Sequence, residues 1–187
     1  MTAANFAASS PDRTTARVRL RPTMSSDLDF VVSLEQSPEN LAFITPWDRT
    51  QHEAAIRFPD FRHFIVEGGE SLDAVGFVIL IGCRNQNQSI ELKRMVVQAK
   101  GAGFGRAALR VAKKVAFDDL GAHRFWLDVK KRNVRAQALY GGEGFVIEGE
   151  LRDAVRTSQG FESLIVMSML AGEFTGRRGL ALELPRP

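Results

Sequence analysis

Residues 133–145 read NVRAQALYGGEGF. Asparagine commonly caps a helix and glycines commonly end one, so the stretch predicts a short helix over residues 134–141 with Asn133 as its cap. Apolar and β-branched residues predict one strand before it, at 124–129, and two strands after it, at 146–155 and 161–170. The helix therefore joins strands, as expected for a fold that mixes helices with a sheet.

A longer helix precedes this unit. Residues 106–120 carry apolar side chains at helical spacing, and Gly121 ends the run. Upstream, the apolar segments 61–67, 74–83 and 90–97 follow one another too closely for helices to lie between them. They predict three antiparallel strands connected as a meander.

The N-terminal third predicts a strand at 18–22 and then a helix capped by Ser26. Prolines interrupt the next segment, where only residues 50–58, after a capping Thr50, predict a helix. The complete order is β-α-α-β-β-β-α-β-α-β-β. We expect an α/β (α+β) fold with a mixed, mostly antiparallel sheet flanked by helices, and one parallel pair of strands around the long helix.

The composition is that of a globular protein. The chain has 187 residues, of which 44% are hydrophobic and 25% are charged, enough for one domain with a buried core. We expect a single domain at residues 17–170, a flexible leader at 1–16, and a loosely attached tail at 171–187 that is rich in Gly, Arg and Pro.

Several classes of partner are disfavoured. A net charge of +3 is too small to indicate nucleic-acid binding, and the longest apolar run, at 74–83, is far below the ~20 residues that span a bilayer. A single cysteine, Cys83, favours a reducing, cytoplasmic location. The histidines His52, His63 and His123 lack metal-ligand spacing, so we expect surface or boundary positions for them and no metal.

The segment KGAGFGR, residues 100–106, lies between a predicted strand and the long helix. Its glycines let backbone N–H groups approach a phosphate, and a helix N-terminus adds partial positive charge. It predicts a pyrophosphate site with Lys100 and Arg106 at its rim, although a tight turn with solvated basic side chains has the same composition. Beyond Arg106, we expect a solvated basic helix face formed by Arg110, Lys113 and Lys114.

The same residues allow a second interpretation. Gly103, Gly105 and Ala108 match the dinucleotide pattern G-x-G-x-x-G/A, and Asp128 follows about 20 residues later. A doubly wound fold needs repeated strand–helix–strand units, whereas a meander precedes this loop. A Rossmann-type NAD(P)-binding oxidoreductase is therefore the weaker alternative.

Six residues of NVRAQALYGGEGF match the pattern N-x-x-A-x-x-L-Y-x-x-x-G-F: Asn133, Ala136, Leu139, Tyr140, Gly144 and Phe145. The pattern resembles that of the GNAT superfamily of N-acetyltransferases. In that superfamily the glycine loop usually reads Q/R-x-x-G-x-G/A, and here Lys100 replaces the usual first residue. The stretch FVIEGELRDA, residues 145–154, is similar to the branch with ribosomal-protein N-terminal and diamine acetyltransferases.

The resemblance implies acetyl-CoA as co-substrate, held where a parallel pair of strands splays apart. The backbone of Met95, Val96 and Val97 would bind the pantetheine arm, and Asn133 would face that arm. The pyrophosphate would lie on the loop formed by Lys100, Gly101, Ala102, Gly103, Phe104, Gly105 and Arg106.

The same resemblance implies that Tyr140 is the catalytic acid, because a positioned phenol can donate a proton to the departing thiolate. The incoming alkylamine, with a pKa of about 10.4, must lose a proton before it attacks. Glu91, on the strand that borders the cofactor, is the expected base. The rival carboxylates are those of Glu35, Glu39, Glu148 and Glu150.

These observations predict an N-acetyltransferase whose acceptor is the primary amine of a protein N-terminus, a polyamine, an amino acid or an amine antibiotic. A homodimer is compatible with this prediction. A non-catalytic acyl-CoA-binding module on the same fold is a further alternative.

Overall fold

The computed structural model describes residues 16–174, in which seven strands form one sheet. The strands are β1 (Val18–Pro22), β2 (Phe61–Gly68), β3 (Asp73–Ile81), β4 (Ser89–Val97), β5 (Arg124–Lys130), β6 (Val146–Thr157) and β7 (Gly160–Leu170). They lie in the order β1-β2-β3-β4-β5-β7-β6, and only β4 and β5 are parallel. This topology confirms the predicted fold class, and it is not the doubly wound sheet of a dinucleotide-binding enzyme.

Helices cover both faces of the sheet. They are α1 (Leu28–Glu35), α2 (Pro38–Leu41), α3 (Arg49–Arg57), α4 (Phe104–Lys114) and α5 (Val134–Gly142). The larger core cluster lies on the side of α4 and α5, which we call the α4 face. The smaller cluster lies under α1 on the opposite side, which we call the α1 face.

The local signals for helix starts were only partly correct. Asn133 caps α5 as predicted, since its side-chain oxygen accepts a hydrogen bond from the N–H of Ala136 at 3.2 Å. Asp48, and not Thr50, caps α3 by accepting from the N–H of Gln51 at 2.8 Å. Ser26 lies inside a 3₁₀ turn, Ser25–Asp27, and caps no helix.

A bulge in β4 redirects its side chains. Ile79 and Leu80 of β3 pair with Arg94 and Leu92, which leaves Lys93 as an extra residue. Apolar residues before the bulge pack on the α4 face, and those after it switch faces. The bulge therefore turns Arg94 towards α1.

The parallel strands β4 and β5 separate soon after they meet. Pairing covers only Ser89–Glu91 of β4 and Arg124–Trp126 of β5. Beyond these residues β4 continues to Val97 and β5 to Lys130 without pairing to each other. We call the space between the unpaired ends, residues 92–97 and 127–130, the gap.

The start of the expected tail packs against the domain. Phe174 is buried and stacks on Phe117, with ring centroids 4.9 Å apart. The rest of that tail and residues 1–15 of the expected leader lie outside the described residues. Within residues 16–174, every helix is too short or too polar to traverse a bilayer.

Candidate active site

The glycine loop presents unpaired backbone to solvent at the start of α4. Gly101 and Gly103 have φ angles of +93° and +87°, which L side chains rarely adopt. Gly103 occupies the N-cap position and has no side chain to accept hydrogen bonds from the first turn. The N–H groups of that turn therefore have no capping side chain and face the position where the sequence predicts a pyrophosphate.

Phe104 fixes the loop to the sheet. A Cβ atom added at Gly68 would lie 2.7 Å from the ring of Phe104, so the ring lies directly against the β2 backbone. At Gly105, by contrast, an added Cβ would meet Val97 and Leu139 only at ordinary contact distances of 3.7 and 3.8 Å. The fold itself therefore does not require glycine at residue 105.

The two rim cations have protein partners. The Nζ atom of Lys100 lies 3.2 Å from the carbonyl oxygen of Glu39 and 3.5 Å from its carboxylate. The Arg106 guanidinium lies 2.8 Å from the carboxylate of Glu143. Lys100 therefore joins the loop to α2, and Arg106 joins α4 to the end of α5.

Glu143 forms ion pairs with three basic residues of α4. Its buried carboxylate lies 2.8 to 3.1 Å from Arg106, Arg110 and Lys113, and Lys113 also donates to the Glu143 carbonyl at 2.7 Å. Burial acts to raise the pKa of Glu143, but the hydrogen bonds from these cations outweigh it and lower the pKa. The expectation of a solvated face was wrong for Lys113, which is buried. The basic residues of α4 bind the C-terminal end of α5 through Glu143.

Tyr140 lies on the α4 face, where only 9% of it is exposed. Burial, and then the negative charge of Asp128, raises the pKa of Tyr140 to about 12. Its hydroxyl has no hydrogen-bond partner within residues 16–174. The phenol is therefore protonated at neutral pH and free to donate to a ligand.

Glu91 lies on the last paired residue of β4, opposite Trp126. Its neighbours Ile90 and Leu92 pack on the α4 face, so Glu91 projects to the α1 face. The carboxylate lies 3.1 Å from the Nζ atom of Lys93. Glu91 is thus near the gap, paired with the bulge residue.

The expected pantetheine-binding backbone borders the gap. Met95, Val96 and Val97 pair with β3 along one edge of β4, and β5 has already diverged from the other edge. Peptide groups along a free strand edge can bind an extended amide-containing chain. Asn133, expected to face that chain, lies just beyond the end of β5 as the cap of α5.

Glu35, an alternative candidate for the catalytic base, is fully buried and already hydrogen-bonded within the protein. It accepts hydrogen bonds from the Arg94 guanidinium and, at 2.6 Å, from the N–H of Trp47. Burial acts to raise the pKa of Glu35, but nearby His52 and the charge and hydrogen bond of Arg94 lower it overall. Such a carboxylate cannot reach an incoming amine.

Two histidines, His52 and His63, are buried, contrary to the expectation of surface or boundary positions. His52 Nδ1 lies 3.0 Å from His63 Nε2, and His63 Nδ1 lies 2.9 Å from the hydroxyl of Thr23. His52 Nε2 points towards Glu35 at 3.6 Å, too long for a good hydrogen bond. Burial, followed by the charge of His52, lowers the pKa of His63 to about 4.

Residues 38–47, which we call the crossing segment, touch both strands that flank the gap. Arg94 of β4 donates to the carbonyl of Thr45 at 3.0 Å. Lys130 at the end of β5 lies 3.4 Å from the carbonyl of Ala42, which also accepts from Arg132. The crossing segment therefore lies over the α1 side of the gap, while α4 and α5 close the other side.

No group of three or more potential metal ligands occurs among residues 16–174. An uncapped glycine loop, a splayed parallel pair and a buried phenol on the α4 face form the arrangement expected of an acyl-CoA-dependent transferase. Comparison with known proteins gives the family. Residues 17–146 match the acetyltransferase (GNAT) domain family, and the chain belongs to it. It is an N-acetyltransferase, of a family that uses acetyl-CoA.

Relatives in sequence are also named as N-acetyltransferases. The spermidine N(1)-acetyltransferase of Escherichia coli K12 is 28% identical over 146 residues, which cover 72% of this chain and 75% of that protein. An uncharacterised N-acetyltransferase of Mycobacterium tuberculosis H37Rv is 32% identical over 114 residues, 60% of this chain and 72% of that protein.

Solved structures share the fold. The spermidine N-acetyltransferase of Vibrio cholerae in complex with CoA and spermine has a TM-score of 0.76 at 24% identity, covering 83% of this chain and 96% of that one. A chimera of the same enzyme has a TM-score of 0.77 at 24% identity, covering 86% and 99%.

Proposed function

We propose that this acetyltransferase acts on the primary amino group of a polyamine, with spermidine as the first acceptor to test. The likeness to the E. coli spermidine enzyme, which extends over most of both chains, supports this acceptor class. One structural observation supports the acetyl-transfer step itself. Tyr140 is buried on the α4 face, which closes one side of the gap, and the uncapped start of α4 lies near Val97 at one end of that gap.

The residues present fit acetyl-CoA. The amides of residues 101–106 would hold the pyrophosphate, because the left-handed glycines leave the loop backbone open to close approach. The free edge of β4 at Met95, Val96 and Val97 would hold the pantetheine amides, with Asn133 beside that arm. Lys100 would exchange the Glu39 carboxylate for a phosphate oxygen when the co-substrate binds.

Tyr140 would stabilise the leaving sulfur. A thiol has a pKa of about 8.5, well below the value of about 12 for Tyr140, so complete proton transfer from the phenol would be uphill in isolation. The phenol therefore acts first as a hydrogen-bond donor to the developing thiolate. Its proton is given up only as the attacking nitrogen supplies another.

Glu91 would serve as the base, directly or through a water molecule. Its side chain is 16% exposed, so solvent can carry a proton away from it. The ammonium of Lys93 lies 3.1 Å from this carboxylate and would have to move aside for the incoming amine.

An acceptor panel tests the proposed function. Spermidine, a peptide with a free N-terminal alanine, a free amino acid and an aminoglycoside are each offered with acetyl-CoA, and thiol release is followed. Spermidine should give the highest kcat/KM. A peptide that exceeds spermidine would move the assignment to the protein N-terminal branch.

Three further expectations stay predictions. Residues 17–170 would form the catalytic domain, and the protein would work in the cytoplasm. Self-association is also proposed, supported by a Vibrio cholerae spermidine N-acetyltransferase that is described as dodecameric.

A further inference from the structure

Asp128 is an unpaired carboxylate next to the gap. It is partly buried, yet it makes no hydrogen bond or ion pair within residues 16–174. In the same range, the carboxylates of five other acids lack such partners, and all five residues are exposed: Glu70, Asp73, Asp118, Asp119 and Asp153. A shielded carboxylate without a partner costs free energy that a bound cation would offset.

Its place in β5 directs Asp128 into the gap. Leu127 and Val129 pack in the core of the α4 face, so Asp128 projects to the α1 face. On one edge it pairs with Val166 of β7. On the other edge β4 has diverged, since the last parallel pair is at Trp126.

The cations around the gap are occupied. Arg94 is bound to Glu35, and Lys130 lies 2.9 Å from the carboxylate of Glu162. Neither therefore neutralises Asp128. The negative charge of Asp128 contributes, after burial, to the raised pKa of Tyr140.

We propose that Asp128 binds the ammonium group of the acceptor and places its nitrogen at the carbonyl carbon of the thioester. This inference rests on the proposed function. An alkylammonium that enters under the crossing segment would meet Asp128 on the α1 side of the gap, across from the phenol of Tyr140. The charge-assisted hydrogen bond would fix the direction from which nitrogen attacks.

Acetyl transfer to an ammonium group releases one proton overall. The ammonium loses one proton to the base and then to water, and its nitrogen forms a bond to the carbonyl carbon. The carbon–sulfur bond breaks, and the thiolate takes the Tyr140 proton. The second proton on nitrogen then restores the phenol, so the products are the acetylated amine, the thiol and one released proton.

Asp128→Asn tests the proposal, because it removes the charge and keeps the shape. We expect the KM for spermidine to rise about 10- to 100-fold, the loss typical of a hydrogen bond to a charged group. The dissociation constant for acetyl-CoA should change by less than about twofold, since Asp128 contacts the acceptor and not the glycine loop. Asp128→Glu, which keeps the charge, should recover part of the loss.

Asp118→Asn is the matched control, because it makes the same charge change at an exposed position outside the gap, in the turn that precedes β5. Its KM for spermidine should equal that of the unaltered protein. An unchanged KM in Asp128→Asn, or an equal rise in Asp118→Asn, would overturn the proposal.

Calorimetry separates this proposal from the proposed function. Spermidine is titrated into the protein saturated with CoA, without turnover. If the unaltered protein binds spermidine and Asp128→Asn does not, Asp128 is the amine-binding residue even if no acetylation is seen. If spermidine binds both proteins equally, or binds neither, the role of Asp128 is wrong.

Discussion

The carboxylate of Glu35 accepts a hydrogen bond from the guanidinium of Arg94, 59 residues away in sequence, and the pair is buried. The same two residues also bind the backbone of Trp47 and Thr45. A single ion pair thus connects α1, β4 and the crossing segment. The Glu35–Arg94 pair holds the crossing segment in place, and we expect the acceptor to enter beneath that segment.

Glu35→Gln should therefore destabilise the protein by about 3–5 kcal/mol, the usual cost of leaving one member of a buried ion pair without its partner. Urea unfolding measures the change. Glu53→Gln is the control, since Glu53 pairs with the partly exposed Arg49 one helical turn away, and it should cost less than about 0.5 kcal/mol. Equal losses in the two variants would contradict the account of the buried pair.

His63 should make stability depend on pH. Its pKa is about 4 in the folded protein against an ordinary 6.5, so between these values the unfolded chain binds more protons. Stability should be fully present above pH 6.5 and fall as the pH drops towards 4, by roughly 3 kcal/mol at most. The lowered pKa of Glu35 should remove further stability below its ordinary 4.5.

Denaturant unfolding at a series of pH values measures this slope. His63→Asn should flatten the decline between pH 6.5 and 5, whatever its effect on absolute stability. An identical slope in the variant would show that His63 does not cause the decline.

Gly105→Val should weaken CoA binding by at least about tenfold, because a branched side chain on the loop would obstruct the approach of phosphate to backbone. Gly105→Ala serves as the folding control, since its methyl group would meet only ordinary contacts with Val97 and Leu139. Calorimetry with CoA gives the affinities, and thermal unfolding shows whether each variant folds. Unaltered CoA affinity in a folded Gly105→Val protein would remove this loop from the site.

Tyr140→Phe should lower kcat by about 10²-fold, near the lower end of the usual range for general acid–base groups, because a thiolate is already a tolerable leaving group. The ring and its contact with Phe145 are kept, so acetyl-CoA binding should survive. Single-turnover kinetics at saturating acetyl-CoA separates chemistry from binding. An unchanged rate constant for the chemical step would make Tyr140 a structural aromatic residue.

Local sequence patterns predicted the fold well, because alternation, helical spacing and glycine stops are encoded over short segments. The order of strands and helices, the single parallel pair and the cap at Asn133 were all predicted. The short helix α2, in a segment expected to be a loop, was not, since four residues carry too little periodicity to be seen.

The polar interior could not be predicted in the same way. Whether Glu143 meets Arg110 depends on how two helices pack, and the burial of His52 depends on strand β2 beneath it. The bulge at Lys93 reverses the faces of the residues that follow it. Simple alternation along β4 would therefore assign Arg94 to the wrong face of the sheet. Asp128 was recognised only as the acid of a dinucleotide pattern, because divergence of strands leaves no local signal.

The central claim is acetyl transfer from acetyl-CoA to an amine. The most direct test incubates the protein with acetyl-CoA and spermidine and quantifies acetylated spermidine by mass spectrometry and free CoA by thiol titration. We predict that the two products form in equal amounts, and only when protein and both substrates are present. Acetyl-CoA binding without acetylation of spermidine or any other amine of the panel would contradict the claim and leave a CoA-binding module in its place.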